Sequence, residues 1–123
     1  MRYILILCGV TLLIGGFVAW RALRAPDTFG AFTGVPQAEV ADLIERPAEY
    51  LHKTVMIEGV VREQCESMGC FFFFQSAKKQ LRIDLADIAM NAPRRNGRRA
   101  RVEGQMVPYL DGYQLWASGV TFE

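Results

Sequence analysis

An uncharged apolar run near the N-terminus constrains this chain more than any other feature. It extends from Tyr3 to Trp20, 18 residues without a charged side chain, and about 17–25 apolar residues are needed to cross the hydrocarbon core of a bilayer. A cleaved signal peptide is the alternative, but no small-x-small cleavage site comes after the run, and Arg21 and Arg24 lie at its end. The sequence therefore predicts an uncleaved transmembrane anchor over residues 1–24, with residues 3–20 in the membrane.

The charges that flank the apolar run leave its orientation nearly balanced. Arg2 and the N-terminal amine lie on one side, and Arg21 and Arg24 lie on the other, so the positive-inside rule does not decide between the two orientations. A two-residue tail before the run is typical of a signal anchor that exports the domain behind it. We therefore expect a single-pass protein of the inner (cytoplasmic) membrane whose C-terminal domain is periplasmic, that is, extracytoplasmic.

The sequence after the anchor predicts a linker and then a short helix. Residues 25–36 are interrupted by two prolines and two glycines and show no sustained apolar period, which predicts a linker. From Gln37 to Arg46, the side chains of Val40, Leu43 and Ile44 fall on one helical face before Pro47 ends the pattern. This spacing predicts a short amphipathic helix.

Period-two patterns dominate the rest of the chain and indicate β-strands. Alternating β-branched residues such as Val55 and Ile57 are typical of a half-buried strand, and Asn96-Gly97 and Asp111-Gly112 indicate tight turns between later runs. Strands are predicted over residues 53–62, 70–75, 80–85, 98–107 and 112–122. Three strands, a short connection and two more strands match the chain order of a small, partly open barrel, so we predict a mainly β, five-stranded OB-type barrel over residues 37–123.

Two stretches of sequence resemble known families of this fold. The positions Ile44, Pro47, Tyr50, Lys53, Val55 and Gly59 resemble the opening of the bacterial tRNA-anti-like OB domains. The runs VVREQCESMGCFFFF and LRIDLADIAMNAPRRNGRRARVEGQM are similar to the OB-type family DUF4920, and the likeness covers residues 40–123. A tryptophan comes after the second cysteine in that family, whereas Phe71 comes after Cys70 here, so the resemblance implies the fold and not a shared ligand.

The layout of an anchor and an exported OB barrel also resembles the haem chaperone of cytochrome c maturation. That family uses a C-terminal histidine, whereas His52 is the only histidine of this chain. Haem loading by the same chemistry is therefore not expected.

Two cysteines separated by four residues form the sharpest local motif. Cys65 and Cys70 would face each other at the mouth of a hairpin, where Cα atoms about 5.5 Å apart suit a disulfide, and an exported domain favours its formation. Alternatively, Met68 would join the two thiolates as a soft ligand set for copper(I), or the thiols would carry redox chemistry. A zinc site is less favoured because neither a second cysteine pair nor a suitable histidine completes four ligands.

Four consecutive phenylalanines occupy residues 71–74, and not all of them can face the barrel interior. Side chains alternate between the two faces of a strand, so the barrel interior accepts either Phe71 and Phe73 or Phe72 and Phe74. We assign Phe72 and Phe74 to the outer face, as a binding surface of the kind that OB domains use for stacking. The alternative is that the linker or the amphipathic helix covers the outward pair.

Arginines concentrate in one stretch of a domain that is otherwise slightly acidic. Three of the 14 basic residues precede residue 25 and all 13 acidic residues come after it, so residues 25–123 have a net charge of −2. A binding role toward phosphates or anionic lipids competes with a solvated loop whose charges oppose aggregation. The low net charge makes nucleic acid an unexpected partner. The arginines are Arg94, Arg95, Arg98, Arg99 and Arg101.

No pattern in the sequence indicates an enzyme. A Ser-His-Asp set and a phosphate-binding glycine-rich loop are missing from the sequence, and Asp84 and Asp87 are interpreted as turn or cap residues after a strand. The chain is therefore expected to be a non-catalytic, membrane-anchored OB-fold accessory of an envelope complex, without a cofactor. The alternatives are a cytosol-facing nucleic-acid-binding OB domain and a cysteine-based copper or thiol-redox carrier.

Overall fold

The computed structural model describes residues 27–65, 70–89 and 92–123. In these ranges the elements are β1 (Thr28–Gly30), α1 (Val40–Glu45), a 3₁₀ helix (Pro47–Tyr50), β2 (Thr54–Val60), β3 (Phe71–Ser76), β4 (Lys79–Asp84), β5 (Arg99–Tyr109) and β6 (Gly112–Phe122). Strands β2 to β6 confirm the five predicted strands. The predicted anchor over residues 3–20 lies outside the described ranges, and no helix within those ranges is long and apolar enough to cross a membrane.

The described strands form one six-stranded sheet. Its order is β2-β5-β6-β4-β3, and β1 pairs with the C-terminal half of β6. The β4–β6 pairing is parallel and the other pairings are antiparallel. The sheet is not closed by a continuous ladder, but an isolated bridge between Arg62 and Phe73 joins its two edges. This arrangement is that of a partly open barrel.

The inward residues of the five long strands make the core. The side chains of Ile57, Phe72, Phe74, Ile83, Met106 and Leu115 are fully buried. Gly59 makes room for this packing, because a Cβ atom there would lie 2.8 Å from the ring of Phe74. Helix α1 covers one end of the barrel with the buried side chain of Leu43 and contacts β3 and β4. It is shorter than the predicted helix and ends before Pro47, as expected for a residue that cannot continue a helix.

The segment predicted to be a linker contains β1 and packs on the barrel. The amide of Ala31 donates to the carbonyl of Ser118 at 3.0 Å, and Gly119 allows this approach because a Cβ atom there would lie 2.4 Å from the carbonyl oxygen of Ala31. Further along, the amide of Ala38 donates to the carbonyl of Met56 on β2 at 2.8 Å. Residues 27–38 therefore form an arm that runs from β6 to β2.

The assignment of Phe72 and Phe74 to the outer face is wrong. Both side chains are 0% exposed in the barrel core, whereas Phe71 and Phe73 on the outer face are half-buried. The register explains the result, because β3 pairs with β4 so that Phe72 lies opposite Ile83 and Phe74 opposite Leu81. The aromatic pair that faces outward is thus Phe71 and Phe73.

Candidate binding face

Aromatic and polar side chains from four strands meet on the outer face of the barrel. We call this group the outer-face cluster, and it consists of Phe71, Phe73, Arg82, Asp84, Tyr109 and Gln114. Strands β3 and β4 bring the first four together, since Phe71 lies opposite Asp84 and Phe73 opposite Arg82. The rings of Phe71 and Phe73 pack edge to face, with centroids 5.9 Å apart. Aromatic pairs of this geometry are favourable beyond the area they bury.

Arg82 is the centre of the cluster. Its guanidinium carbon lies 4.5 Å from the ring centroid of Phe71 and 4.4 Å from that of Tyr109, so two aromatic rings share one cation. Arg82 also donates to Asp84 at 3.3 Å and to the side-chain oxygen of Gln114. The positive charge therefore has a carboxylate partner within the cluster.

Asp84 and Gln114 complete the polar network below the rings. Gln114 donates from Nε2 to Asp84 at 3.3 Å, and the other carboxylate oxygen of Asp84 accepts the amide of Ala86 at 2.8 Å. This last contact confirms Asp84 as a turn residue at the end of β4. The side chains of Arg82 and Asp84 are 19% and 21% exposed, so the face presents half-buried aromatics around a charge-compensated polar centre.

Trp116 extends the same face along β6. It is 45% exposed, and it lies beside Asp84 in the parallel β4–β6 register. An open cavity of about 380 Å³ adjoins it, lined by Thr54, Asp87, Ile88, Gln105, Trp116, Ala117 and Ser118. The sequence did not identify Arg82, Tyr109, Gln114 or Trp116 as site residues. The alternation of β4 was the one signal available for Arg82.

The cysteine pair borders the outer-face cluster. The amide of Cys65 donates to the carbonyl of Phe71 at 2.9 Å, and the structure has both cysteines in the thiol form rather than as a disulfide. Burial raises the pKa of the Cys70 thiol, and the hydrogen bond with Cys65 and the charge of Asp84 act in the same direction. A raised pKa favours the thiol over the thiolate that nucleophilic attack or metal ligation requires.

The disulfide and the copper site stay predictions. Met68 lies outside the described residues, so the structure does not place the third soft ligand. Within the described ranges, His, Cys, Asp and Glu side chains form no group of three or more that is able to hold a metal ion.

Three arginines between residues 94 and 101 form their ion pairs with carboxylates outside the outer-face cluster. Arg95 pairs with Asp27 at 3.2 Å, and Arg101 pairs with Glu58 at 2.9 Å. Arg99 contacts Glu58 at 3.7 Å and Glu123 at 3.9 Å. Their carboxylate partners lie on β2, on the arm and at the last residue of the chain, so these ion pairs are directed away from the outer-face cluster. Arg101 also lines a cavity with the exposed Phe32 of the arm.

Glu103 is a buried carboxylate whose role the sequence did not reveal. It is 1% exposed on the outer side of β5, under the arm. Both carboxylate oxygens accept the amide of Thr33 at 3.0 Å, the hydroxyl of Thr33 donates to one of them, and the amide of Gly34 donates at 3.3 Å. Burial alone would raise the pKa of Glu103, but the hydrogen bonds from residues 33–35 outweigh it and hold the pKa below its ordinary value.

Comparisons with known proteins bear on the fold. No protein-family profile matches the chain, and no curated protein matches it. Among solved structures, the chain is similar to the hypothetical protein ygiW from E. coli, with a TM-score of 0.54 and 12% identity over 77% of this chain and 97% of that chain. It is also similar to a "putative aspartyl-tRNA synthetase" from Leishmania major Friedlin, with a TM-score of 0.51 and 15% identity over 75% of this chain.

These similarities show the fold alone, because both identities are low. The match spans only 21% of the synthetase chain, so it concerns one part of that protein. The two structural similarities, together with the strand order and the bridge between the sheet edges, show that the described part of this chain has an OB-like fold.

Proposed function

We propose that the protein is a membrane-anchored, extracytoplasmic OB-fold binding module, a non-catalytic accessory of an envelope complex, and that the outer-face cluster contacts its protein partner. The observation that carries the proposal is the half-buried pair Phe71 and Phe73 beside a compensated Arg82. Aromatic side chains and arginine are the residue types enriched at energetically important positions of protein interfaces.

The charge of this face favours a protein over a nucleic acid. Single-stranded nucleic acids bind to grooves in which aromatic side chains alternate with uncompensated positive charge. Here Arg82 has Asp84 as a partner, and the ion pairs of Arg95, Arg99 and Arg101 are directed to other parts of the domain. A face with little net charge and several aromatic rings suits a largely uncharged protein surface better than a polyanion.

The sequence supports the anchored part of the proposal. Residues 3–20 are long and apolar enough for one crossing, and tethering keeps a small domain at a high effective concentration near partners in the same membrane. The resemblance to the tRNA-anti-like and DUF4920 domains adds the finer proposal that the chain is an OB domain of that type.

Co-purification of the full-length chain in mild detergent tests the contact surface. We compare the wild type with the double variant Phe71→Ser, Phe73→Ser, identify the proteins that accompany each by mass spectrometry, and record thermal unfolding in parallel. Loss of two interface aromatics is expected to reduce partner recovery by about tenfold or more. The double variant should remain folded and lose much less stability than a core variant, since neither ring lies in the barrel core.

Phe32→Ser is the matched control, because Phe32 is an exposed phenylalanine on the arm, outside the cluster. It should retain the partner. A folded double variant that keeps every partner rejects the outer-face cluster as the contact surface. Tight, salt-dependent binding of single-stranded DNA that disappears when Arg94, Arg95, Arg98 and Arg99 are replaced by glutamine would instead favour the nucleic-acid alternative.

A further inference from the structure

The arginine-rich connection between β4 and β5 lies where the chain enters the domain. Asp27, the first residue that the structure describes, accepts a hydrogen bond from the Arg95 guanidinium at 3.2 Å and, through its carbonyl oxygen, one from the amide of Phe122 at 2.8 Å. The amide of Glu123 donates to the carbonyl of Arg99 at 2.8 Å. The start of the arm, the end of β6 and the arginines therefore share one end of the barrel, which we call the arginine end.

The length of chain before Asp27 limits how far the arginine end can be from the membrane. Six residues separate Trp20, the last residue of the apolar run, from Asp27. A fully extended chain covers at most about 3.6 Å per residue, so the arginine end would lie within roughly 25 Å of the point where the anchor leaves the bilayer. This step rests on the anchor of the proposed function.

The two ends of the barrel differ in charge. Helix α1 lies at the opposite end, where this helix and the 3₁₀ helix after it contribute Asp42, Glu45 and Glu49. These acids are balanced by Arg46, which pairs with Asp42 and Glu49, and by Lys78 and Lys79, which line a cavity with Glu45. The arginine end has four arginines between residues 94 and 99, with Asp27, Glu58 and Glu123 as their acidic partners. Among these residues the arginine end has one basic side chain in excess and the α1 end has none, and the arginine end is the one on the side of the anchor.

From this arrangement we infer that the arginine end docks on the anionic headgroups of the bilayer that holds the anchor. Arg95 is 16% exposed and fixed by Asp27, so it holds the connection in place. Arg94 is exposed, Arg98 is partly exposed, and Arg99 is 58% exposed with ion pairs of 3.7–3.9 Å that are easily exchanged for a lipid phosphate. Arg21 and Arg24 come after the apolar run in the sequence, so the proposed anchor would add their positive charge at the same boundary. Docking would direct α1 away from the membrane.

Hydrogen exchange of the full-length chain in lipid nanodiscs tests this inference. One set of discs contains phosphatidylcholine alone, and the other contains about one third phosphatidylglycerol. In the anionic discs the amides of residues 92–98 should exchange about fivefold more slowly or better, which is the effect expected when a single basic residue is attracted to an anionic bilayer. The β3–β4 turn at Ala77 and Lys78 serves as an internal reference and should not change. High salt should abolish the difference.

Two charge-matched variants sharpen the test. The variant Arg94→Gln, Arg98→Gln should lose the protection, whereas Lys78→Gln, Lys79→Gln, which removes the same charge from the opposite end, should retain it. Unchanged exchange of β5 shows that each variant is folded, and the comparison of the two disc types with the wild type does not depend on either variant. Equal exchange of residues 92–98 in both discs overturns the docking while leaving the anchor intact. A chain that does not enter the discs overturns the anchor and the docking together.

Discussion

The two faces of β3 carry the same residue type and have different roles. Phe72 and Phe74 point into the barrel and are fully buried, and their ring centroids lie 5.2 Å apart. Phe71 and Phe73 point outward, stay half-buried and surround a polar network centred on Arg82. Burial, and not residue identity, separates the pair that holds the domain together from the pair available for recognition. Substitutions on the two faces test that separation.

Truncation of one inner and one outer phenylalanine should give the largest difference. Phe74→Ala removes a fully buried ring and leaves a cavity, so it should lower the free energy of unfolding by about 3–5 kcal/mol. Phe73→Ala removes a half-buried ring on the outer face and should cost about 1 kcal/mol or less. Urea unfolding of both variants beside the wild type measures the two values. Similar losses for the two variants would mean that the outer ring is part of the core.

The sequence predicted the strands of this domain better than the faces of those strands. Alternation and turn residues located β2 to β6. The run of phenylalanines has no polar residue within it, so it does not indicate which of its side chains face the core. The inward positions of β3 could have been derived from its partner strand, because Leu81, Arg82 and Ile83 alternate clearly and the turn at Ala77 and Lys78 sets the pairing. A candidate site that depends on one strand can thus be predicted only after its neighbour has been placed.

Other features could not be predicted because they depend on contacts between distant parts of the chain. Strand β1 is three residues long, and its formation depends on pairing with the C-terminal half of β6. Glu103 looks like any outward charge on a strand until the arm covers it, 70 residues away in sequence. The shared position of Arg82 between Phe71 and Tyr109 likewise combines three strands. Local periodicity contains none of this information.

Substitution of Glu103 tests whether a residue on the outer face is needed for stability in the way that core residues are. Glu103→Gln removes the charge that accepts hydrogen bonds from Thr33 and Gly34, and hydrogen bonds to a charged group contribute about 1.5–3 kcal/mol. The loss should appear as faster hydrogen exchange of residues 31–35, with β5 and β6 little changed. Glu45→Gln, on the exposed side of α1, is the control and should have no effect on the arm.

The same carboxylate predicts a pH dependence with a defined sign. The pKa of Glu103 is lowered in the folded protein, so its contribution to stability is complete above the ordinary glutamate pKa of about 4.3 and is lost as the pH falls through the lower, folded value. Protection of residues 31–35 should therefore be constant from pH 7 to about 5 and decrease only in more acidic solution. In Glu103→Gln this acidic step should be missing; if the step persists, another carboxylate controls the arm.

Substitution of Arg82 should have the smallest effect on stability among these changes. It should nevertheless reduce partner binding strongly. In Arg82→Lys the positive charge remains, but the planar group that lies against Phe71 and Tyr109 and also reaches Asp84 and Gln114 is lost. Cation–π contacts are worth about 0.5–1 kcal/mol at exposed sites and about 2 kcal/mol when desolvated. Because the Arg82 side chain is 19% exposed and Arg82→Lys keeps the charge, urea unfolding should show a loss of about 1 kcal/mol, with Arg46→Lys on α1 as the exposed control. Partner recovery should nevertheless fall as it does for Phe71→Ser, Phe73→Ser, because Arg82 orients both the ring of Phe71 and the polar centre of the face. A loss of several kcal/mol would place Arg82 with the inner phenylalanines instead, and the outer face would then be a second structural layer of the barrel.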